Sequence, residues 1–144
     1  MKRFTLTVAA MVLAAGSLLG ADVDLTHAKC PVGGDHAIAA VAVDYKGAKV
    51  YFCCAGCDAT FNADPAKFAV EANHQLFVTG QATQTASPMS GKAVSADYSL
   101  EMAGAKVLFA SAAERDGVAN SDEDQQLQSV FNEDVFDKAF RVGQ

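Results

Sequence analysis

The feature of this sequence that most constrains its fold is an internal repeat. When the chain is shifted by 57 residues, residues 30–57 align with residues 87–114 without a gap, and 9 of the 28 aligned positions are identical. A shorter match relates residues 61–64 to residues 131–134 at an offset of 70. Because the matches fall in order and at corresponding motifs, we favour two copies of one structural unit over chance similarity between small residues.

The two copies differ at every cysteine position. The chain has four cysteines, and all of them lie in the first copy: Cys30, Cys53, Cys54 and Cys57. The aligned residues of the second copy are Ser87, Ala110, Ser111 and Glu114. We therefore predict that the first copy binds a ligand, and that the second is a degenerate copy retained for packing.

Both copies have the pattern of a β-hairpin followed by helix. In the first copy, strands are predicted over residues 38–43 and 48–52, around a turn at Lys46-Gly47. In the second copy, they are predicted over residues 100–102 and 106–109. A short helix is expected to begin at Ala55. The predicted fold class is therefore α+β, built as a tandem pair of small hairpin-plus-helix units.

Further helices are predicted from capping patterns. Asp64 followed by Pro65 is typical of an N-cap and first helical position, with that helix ending near Asn73. Ser121 is expected to cap another helix, whose first turn is acidic and suits the helix dipole. Residues 77–86 are interpreted as a linker, because residues 81–87 are small and mostly polar.

The N-terminal residues have the pattern of a secretory signal peptide. Basic residues at positions 2 and 3 precede an apolar stretch over residues 4–20, and small residues surround Gly20-Ala21. A membrane anchor is the alternative, but the stretch is short for a bilayer and no basic cluster follows it. Residues 1–21 are therefore predicted to be a signal peptide of a periplasmic or secreted protein, with no stable membrane insertion after cleavage.

Charge and motifs exclude several functions. The chain has 17 acidic and 11 basic side chains, for a net charge of −6, which disfavours binding to the phosphate backbone of nucleic acid. No serine nucleophile motif, phosphate-binding glycine loop or readable pair of catalytic carboxylates is present. Cys54 and Cys57 have the C-x-x-C spacing of thiol oxidoreductases, but the surrounding βαβ pattern is absent. We therefore expect no enzymatic activity.

Four cysteines in an exported chain indicate either two disulfides or a thiolate metal site. A vicinal Cys53–Cys54 disulfide would be strained, and Cys30 can pair with only one partner. The predicted hairpin brings the Cys30 turn beside the start of the following helix. There, backbone N–H groups at Gly33-Gly34 and at the helix N-terminus favour thiolates. Soft sulfur ligands select Zn(II) or Cu(I).

The same region resembles a known family. The runs CPVGG, KVYFCCAGC and FNADPAKF, within residues 30–74, are similar to the YHS domain and the overlapping TRASH domain of metal trafficking, resistance and sensing. The positions that carry the resemblance are Cys30, Phe52, Cys53, Cys57, Phe61, Asp64, Pro65 and Lys67. The resemblance implies a treble-clef-like fold, metal binding, and a role in metal transport, resistance or sensing.

These observations lead to one functional prediction. The chain divides into the signal peptide, a metal-binding first unit (residues 27–76), a linker (residues 77–86) and a second unit without cysteines (residues 87–144). The predicted metal ligands are Cys30, Cys53 and Cys57, with Cys54 or His36 as candidates for a fourth. His27 is assigned no role, and His74 is interpreted as a cation near a helix C-terminus.

The predicted cargo is Zn(II) or Cu(I), and a metal transporter or another envelope protein is a candidate partner. The alternative is a structural or interaction module that is stapled by zinc or by disulfides. A unit of about 45 residues is small for folding on packing alone, so a staple is expected in either case.

Overall fold

A computed structural model describes residues 23–143 of this protein, and the predicted signal peptide at residues 1–21 lies outside them. Among the residues described, helices and two-stranded antiparallel sheets combine, so the predicted α+β class is confirmed. No helix in this part of the chain is both long and apolar enough to cross a bilayer.

The first unit begins with a hairpin of strands β1 (Ile38–Tyr45) and β2 (Ala48–Phe52). The connecting residues Lys46 and Gly47 both have positive φ, 51° and 84°. A two-residue turn of this kind matches the right-handed twist of the strands that it joins. β1 continues two residues beyond the predicted end of its strand, and β2 has the predicted bounds.

Three helical segments follow. They are helix α1 (Cys57–Ala63), a 3-10 helix (Pro65–Phe68) and helix α2 (Ala69–Val78). The predictions need correction, because α1 begins two residues later than expected and the Asp64 side chain makes no capping hydrogen bond. Moreover, α2 continues to Val78 rather than ending near Asn73. The residues beyond Asn73 are buried up to Leu76 and half-buried at Phe77 and Val78, so packing extends the helix past the local stop signal.

The predicted linker contains the end of α2 and a short strand, β3 (Ala82–Gln84). β3 pairs antiparallel with a C-terminal strand of the same length, Phe140–Val142. The polar composition of this segment suits a strand at the protein surface, where alternate side chains meet solvent. The segment is therefore ordered by a partner strand distant in sequence, which local composition does not reveal.

The second unit contains strands β4 (Ser95–Met102) and β5 (Ala105–Phe109), followed by helices α3 (Ala112–Ala119), α4 (Glu123–Phe131) and α5 (Glu133–Ala139), and the C-terminal strand is β6 (Phe140–Val142). The N-cap of α4 is Asp122, whose carboxylate accepts a hydrogen bond from the Gln125 N–H at 2.9 Å. The prediction of Ser121 as the cap is therefore wrong by one residue.

The two hairpins have the same register at an offset of 57. Every strand pair of β1 and β2 has its counterpart in β4 and β5; for example, Ile38 opposes Phe52 where Ser95 opposes Phe109. The correspondence includes the register shift that leaves three residues of β1 and three of β4 between successive pairs. The internal repeat of the sequence thus coincides with matching backbone pairing.

Both units contribute to one hydrophobic core. Its largest fully buried apolar side chains are Phe52, Phe61, Leu76, Phe109, Phe131, Phe136 and Phe140. Across the junction, the ring centroid of Phe77 lies 5.8 Å from that of Phe131 and 5.1 Å from that of Phe140. Lys46 forms ion pairs with Glu133 at 2.8 Å and Asp137 at 2.6 Å. The predicted units therefore pack together and share the buried volume that stabilises them.

Candidate metal centre

The first ligand-bearing segment is a tight turn that begins at Cys30. The Cys30 N–H donates to the Asp35 carbonyl at 2.7 Å, and the Gly34 N–H donates to the Cys30 carbonyl at 2.9 Å. The Gly33 N–H donates to the Cys30 sulfur at 3.2 Å. This last contact is the N–H to sulfur bond that the Gly33-Gly34 pair predicts.

The second segment joins β2 to α1. Cys53 directly follows β2, and Cys57 is the first residue of α1. Between them, Gly56 has a φ of +105°, a left-handed conformation that side chains other than glycine adopt only with strain. The turn folds the chain back so that the Sγ atoms of Cys53 and Cys57 lie 3.8 Å apart.

Together these segments bring Cys30, Cys53 and Cys57 into one cluster that could hold a metal ion. Their three Sγ atoms lie within 4.8 Å of one another, and no other His, Cys, Asp or Glu group of this kind occurs within residues 23–143. Metal–sulfur bonds of about 2.3 Å in a tetrahedral site place two sulfurs about 3.8 Å apart. The Cys53–Cys57 separation already has this value, so the donor set fits a thiophilic ion.

Gly33 closes one side of the cluster. A methyl group in place of its hydrogen would lie 2.8 Å from the Cys53 sulfur, 3.7 Å from that of Cys30 and 3.9 Å from that of Cys57. The backbone of the turn thus passes directly over all three sulfurs. A residue with a side chain at this position would push on the ligands, so glycine is required by close approach and not by its φ.

The thiols do not ionise equally. Burial opposes ionisation of Cys30, but N–H groups of Gly33, Cys53 and Val32 outweigh it and lower the pKa of that thiol. The pKa of Cys57 is raised, first by its contact with Cys54 and then by burial, and that of Cys53 is raised chiefly by its contact with Cys30. The expected lowering by a helix N-terminus is therefore not found at Cys57. Closely spaced thiols resist becoming thiolates together unless a cation neutralises them.

The group of three sulfurs within 4.8 Å of one another includes neither candidate for a fourth ligand. Cys54 is exposed, although its Sγ lies 2.8 Å from that of Cys57. His36 is exposed and pairs through its backbone with Lys29. All four cysteines are free thiols, so neither of the two disulfides of the alternative prediction is present.

The other two histidines, His27 and His74, are also absent from the three-sulfur group. His74 is 5% exposed, and its ring packs edge-on against Phe131 with centroids 5.2 Å apart. Burial lowers its pKa to about 4, so the interpretation of His74 as a cation at a helix end is wrong. The His27 ring lies over Gly104, where an added methyl group would approach its Cγ to 2.9 Å.

The aligned positions of the second unit hold an oxygen-based hydrogen-bond network. The buried Ser87 hydroxyl donates to a carboxylate oxygen of Glu114 at 2.6 Å, and the Ala110 N–H donates to the same oxygen at 3.1 Å. Hydrogen bonds from the hydroxyls of Ser87 and Ser90 lower the pKa of Glu114. A carboxylate with these donors joins the turn to the helix without a metal.

Sequence reasoning missed Gln75, which is fully buried and joins the two ligand-bearing segments. Its amide oxygen accepts from the Tyr51 N–H at 2.7 Å, and its amide nitrogen donates to the carbonyls of Tyr51 at 2.8 Å and Lys29 at 2.7 Å. Lys29 precedes Cys30, and Tyr51 lies two residues before Cys53. The available signal was a polar residue directly before the apolar run Leu76-Phe77-Val78.

Comparison with known proteins gives no relative. No family model matches the chain, and neither the curated proteins nor the solved structures contain a match.

Proposed function

We propose that this protein is a non-enzymatic metal-binding protein that holds Zn(II) or Cu(I) through the thiolates of Cys30, Cys53 and Cys57. The observation that carries the proposal is the convergence of three free thiols on one point beneath Gly33. Sulfur-only donors favour thiophilic ions over Mg(II) or Ca(II). A three-sulfur set suits Cu(I), and it also suits Zn(II) with a further ligand.

The second unit supports metal handling over a purely structural role for the metal. It has the same hairpin register and the same turn, in which the Gly91 N–H donates to the Ser87 carbonyl at 2.8 Å, yet it has no thiols. The first unit also shares a core with the second and does not depend on its own small interior. The proposed role of the protein is therefore to take up, buffer or hand on the ion.

Two sequence features extend this proposal. The resemblance of residues 30–74 to YHS and TRASH domains favours metal transport, resistance or sensing. The signal-like N-terminus favours the periplasm or the cell exterior, where a metal transporter or another envelope protein would be the partner. Binding of nucleic acid is disfavoured by the net charge of −6.

Elemental mass spectrometry of protein purified without chelator tests the proposal, combined with a thiol count before and after denaturation. We expect one equivalent of zinc or copper, with the three cluster thiols reacting only after denaturation or metal removal. The metal-free protein should keep its circular dichroism spectrum. Absence of metal, also after reconstitution of the reduced protein with Zn(II) or Cu(I), would contradict metal binding. Unfolding of the metal-free protein would instead support a structural staple.

A further inference from the structure

Cys54 is the one thiol that the proposed metal site leaves out, and it lies where it can react with Cys57, one of the proposed metal ligands. Its side chain is exposed, whereas Cys57 is 9% exposed and Cys30 is 2% exposed. Its Sγ lies 2.8 Å from that of Cys57, nearer than the 3.8 Å between Cys53 and Cys57. The left-handed Gly56 lets the backbone reverse tightly enough for this approach.

We propose that Cys54 is a redox-reactive thiol, which removes Cys57 from the metal cluster by forming a Cys54–Cys57 disulfide. This inference rests on the proposed metal-binding function and assigns a regulation to that site. Loss of Cys57 leaves two sulfurs, Cys30 and Cys53, on the bound ion. Since three thiolates define the site, oxidation of one pair releases the metal, and reduction restores the site.

The reaction balances with a small disulfide as oxidant. The Cys54 thiolate attacks one sulfur of the oxidant, which forms a mixed disulfide and expels one small thiolate. The Cys57 thiolate then leaves the metal and attacks the Cys54 sulfur, and a second small thiolate departs. Two electrons pass from the protein sulfurs to the oxidant, and one sulfur–sulfur bond breaks for each that forms. A bound Zn(II) ion leaves with its charge unchanged.

A serine occupies the aligned position of the second unit. Ser111 aligns with Cys54, and its hydroxyl accepts a hydrogen bond from the Glu114 N–H at 3.3 Å to cap α3. The two turns differ, because α3 begins at Ala112, whereas α1 begins at Cys57 after the left-handed Gly56. Cys54→Ser replaces an exposed thiol by a hydroxyl of similar size, and zinc binding by the reduced variant shows that its metal site has formed.

The test loads wild-type protein and Cys54→Ser with one equivalent of Zn(II) and adds oxidised glutathione in the presence of a colorimetric zinc indicator. We expect both proteins to bind zinc when reduced, and the wild type to release it about tenfold faster than the variant. Trypsin should yield residues 50–67 of the oxidised wild type as one peptide, lighter by two hydrogen atoms, with fragments that locate the bond between Cys54 and Cys57. Reductant should restore zinc binding.

Three outcomes would overturn the inference: equal release from both proteins, a disulfide that maps to Cys30 or Cys53, or loss of zinc binding in reduced Cys54→Ser. The last would make Cys54 a ligand. Failure of the reduced wild type to bind either Zn(II) or Cu(I) would instead overturn the proposed function. Peptide mapping needs no metal, so it would still show whether the Cys54–Cys57 bond forms.

Discussion

The two units of this protein join corresponding segments of the chain through different side chains. In each, a turn that precedes a hairpin must be joined to the start of the helix that follows it. The first unit places three sulfurs at this junction, and the second places a hydroxyl, a backbone N–H and a carboxylate there. The hairpin registers agree residue for residue at an offset of 57, so the hairpin is the same with either chemistry. The helix that follows begins at Cys57 in the first unit and at Ala112 in the second, two aligned positions earlier.

Folding alone does not explain the three thiols of the first unit. Ser87 and Glu114 satisfy one another by a 2.6 Å hydrogen bond, so their junction is complete within the protein. The three sulfurs have only weak hydrogen-bonding capacity and form no disulfide. Their close approach thus suits the binding of a cation and contributes little to the stability of the turn.

The largest expected effect is the loss of the metal from Cys57→Ser. Serine keeps the size of the side chain but replaces a soft thiolate by a hydroxyl, a poor ligand for thiophilic ions. We expect no stoichiometric metal in this variant by elemental mass spectrometry, with an unchanged circular dichroism spectrum. Glu114→Gln, at the aligned position of the second unit, is the matched control and should keep its metal. Full metal content in Cys57→Ser would contradict the ligand assignment.

Transplanting the cluster should create a second site. The substitutions Ser87→Cys, Ala110→Cys and Glu114→Cys restore sulfur at the aligned positions, and Ser90→Gly removes the side chain where Gly33 has none. The variant also carries Ala113→Gly, because Ala113 lies inside α3 at the position of the left-handed Gly56. We expect about two equivalents of metal per chain by elemental mass spectrometry, because the hairpin register is already the same. The variant that retains Ser90 but carries the other changes is the control and should bind its second ion more weakly. One equivalent in both variants would show that the second scaffold differs at the site.

A smaller effect is expected from Gly33→Ala. The added methyl group would lie 2.8 Å from the Cys53 sulfur, so the turn or the sulfur must shift. We expect metal affinity to fall by roughly 10- to 100-fold, as for other changes that displace a ligand without removing it. Gly117→Ala, where an added methyl group meets nothing within 4 Å, is the control. Competition titration with a chelator measures both, and equal affinities would exclude Gly33 as the closing residue.

Two glutamines offer a further contrast between the units. Gln75 bonds both backbone groups of Tyr51, and Gln84 does the same for Leu108, with its amide oxygen 2.9 Å from the N–H and its amide nitrogen 2.7 Å from the carbonyl. Gln75→Ala should destabilise the protein by about 2–4 kcal/mol, since it leaves buried groups unpaired and opens a cavity. Gln84→Ala should cost about 1–2 kcal/mol, because its partners are partly solvated.

Urea denaturation measures these losses of stability, and a metal titration compares the metal affinities of the two glutamine variants. Gln75 connects Tyr51 to Lys29, so its loss should also weaken metal binding at the first unit. Gln84→Ala should leave metal affinity unchanged. An identical metal affinity in both variants would mean that Gln75 only stabilises the fold and does not position the sulfurs.

The smallest effect concerns the pH dependence of the second unit. Since hydrogen bonds from Ser87 and Ser90 lower the pKa of Glu114 in the folded state, ionised Glu114 stabilises the protein above its unfolded pKa. That contribution is lost as the pH falls through the lowered folded pKa. Glu114→Gln should therefore be less stable than wild type near neutral pH, by about 1 kcal/mol or less at this partly solvated site, and the difference should vanish in acid. Thermal denaturation across pH checks it, and a pH-independent difference would contradict the assigned role of the carboxylate.

Much of the candidate site could be predicted from local patterns. Two runs of strand-forming residues around Lys46-Gly47 predict the hairpin, and the spacing of Cys30, Cys53 and Cys57 indicates one cluster once that hairpin forms. The Gly33-Gly34 pair indicates N–H groups that can reach sulfur, and the structure has this contact at Gly33. Each of these inferences depends on residues close in sequence or on a single predicted pairing.

Three of the failures share a physical cause, which is burial by residues distant in sequence. Neither the extension of α2 to Val78 nor the pairing of β3 with β6 has a local signal, because each is stabilised by burial against distant residues. His74 looked like a cation at a helix end, but the core around Phe131 removes its solvent and keeps it neutral. The N-terminal prediction, which falls on residues 1–21, stays a prediction.

The order of residues is therefore sufficient for the hairpins, their repetition and the choice of sulfur as donor, since these follow from short-range backbone preferences and ligand chemistry. Three-dimensional packing was needed to show that Cys54 lies outside the three-sulfur set, that Gly33 covers it, and that Gln75 joins its two halves. These contacts depend on ångström-scale distances between segments far apart in the chain. Such distances arise only when the shared core of the two units has formed.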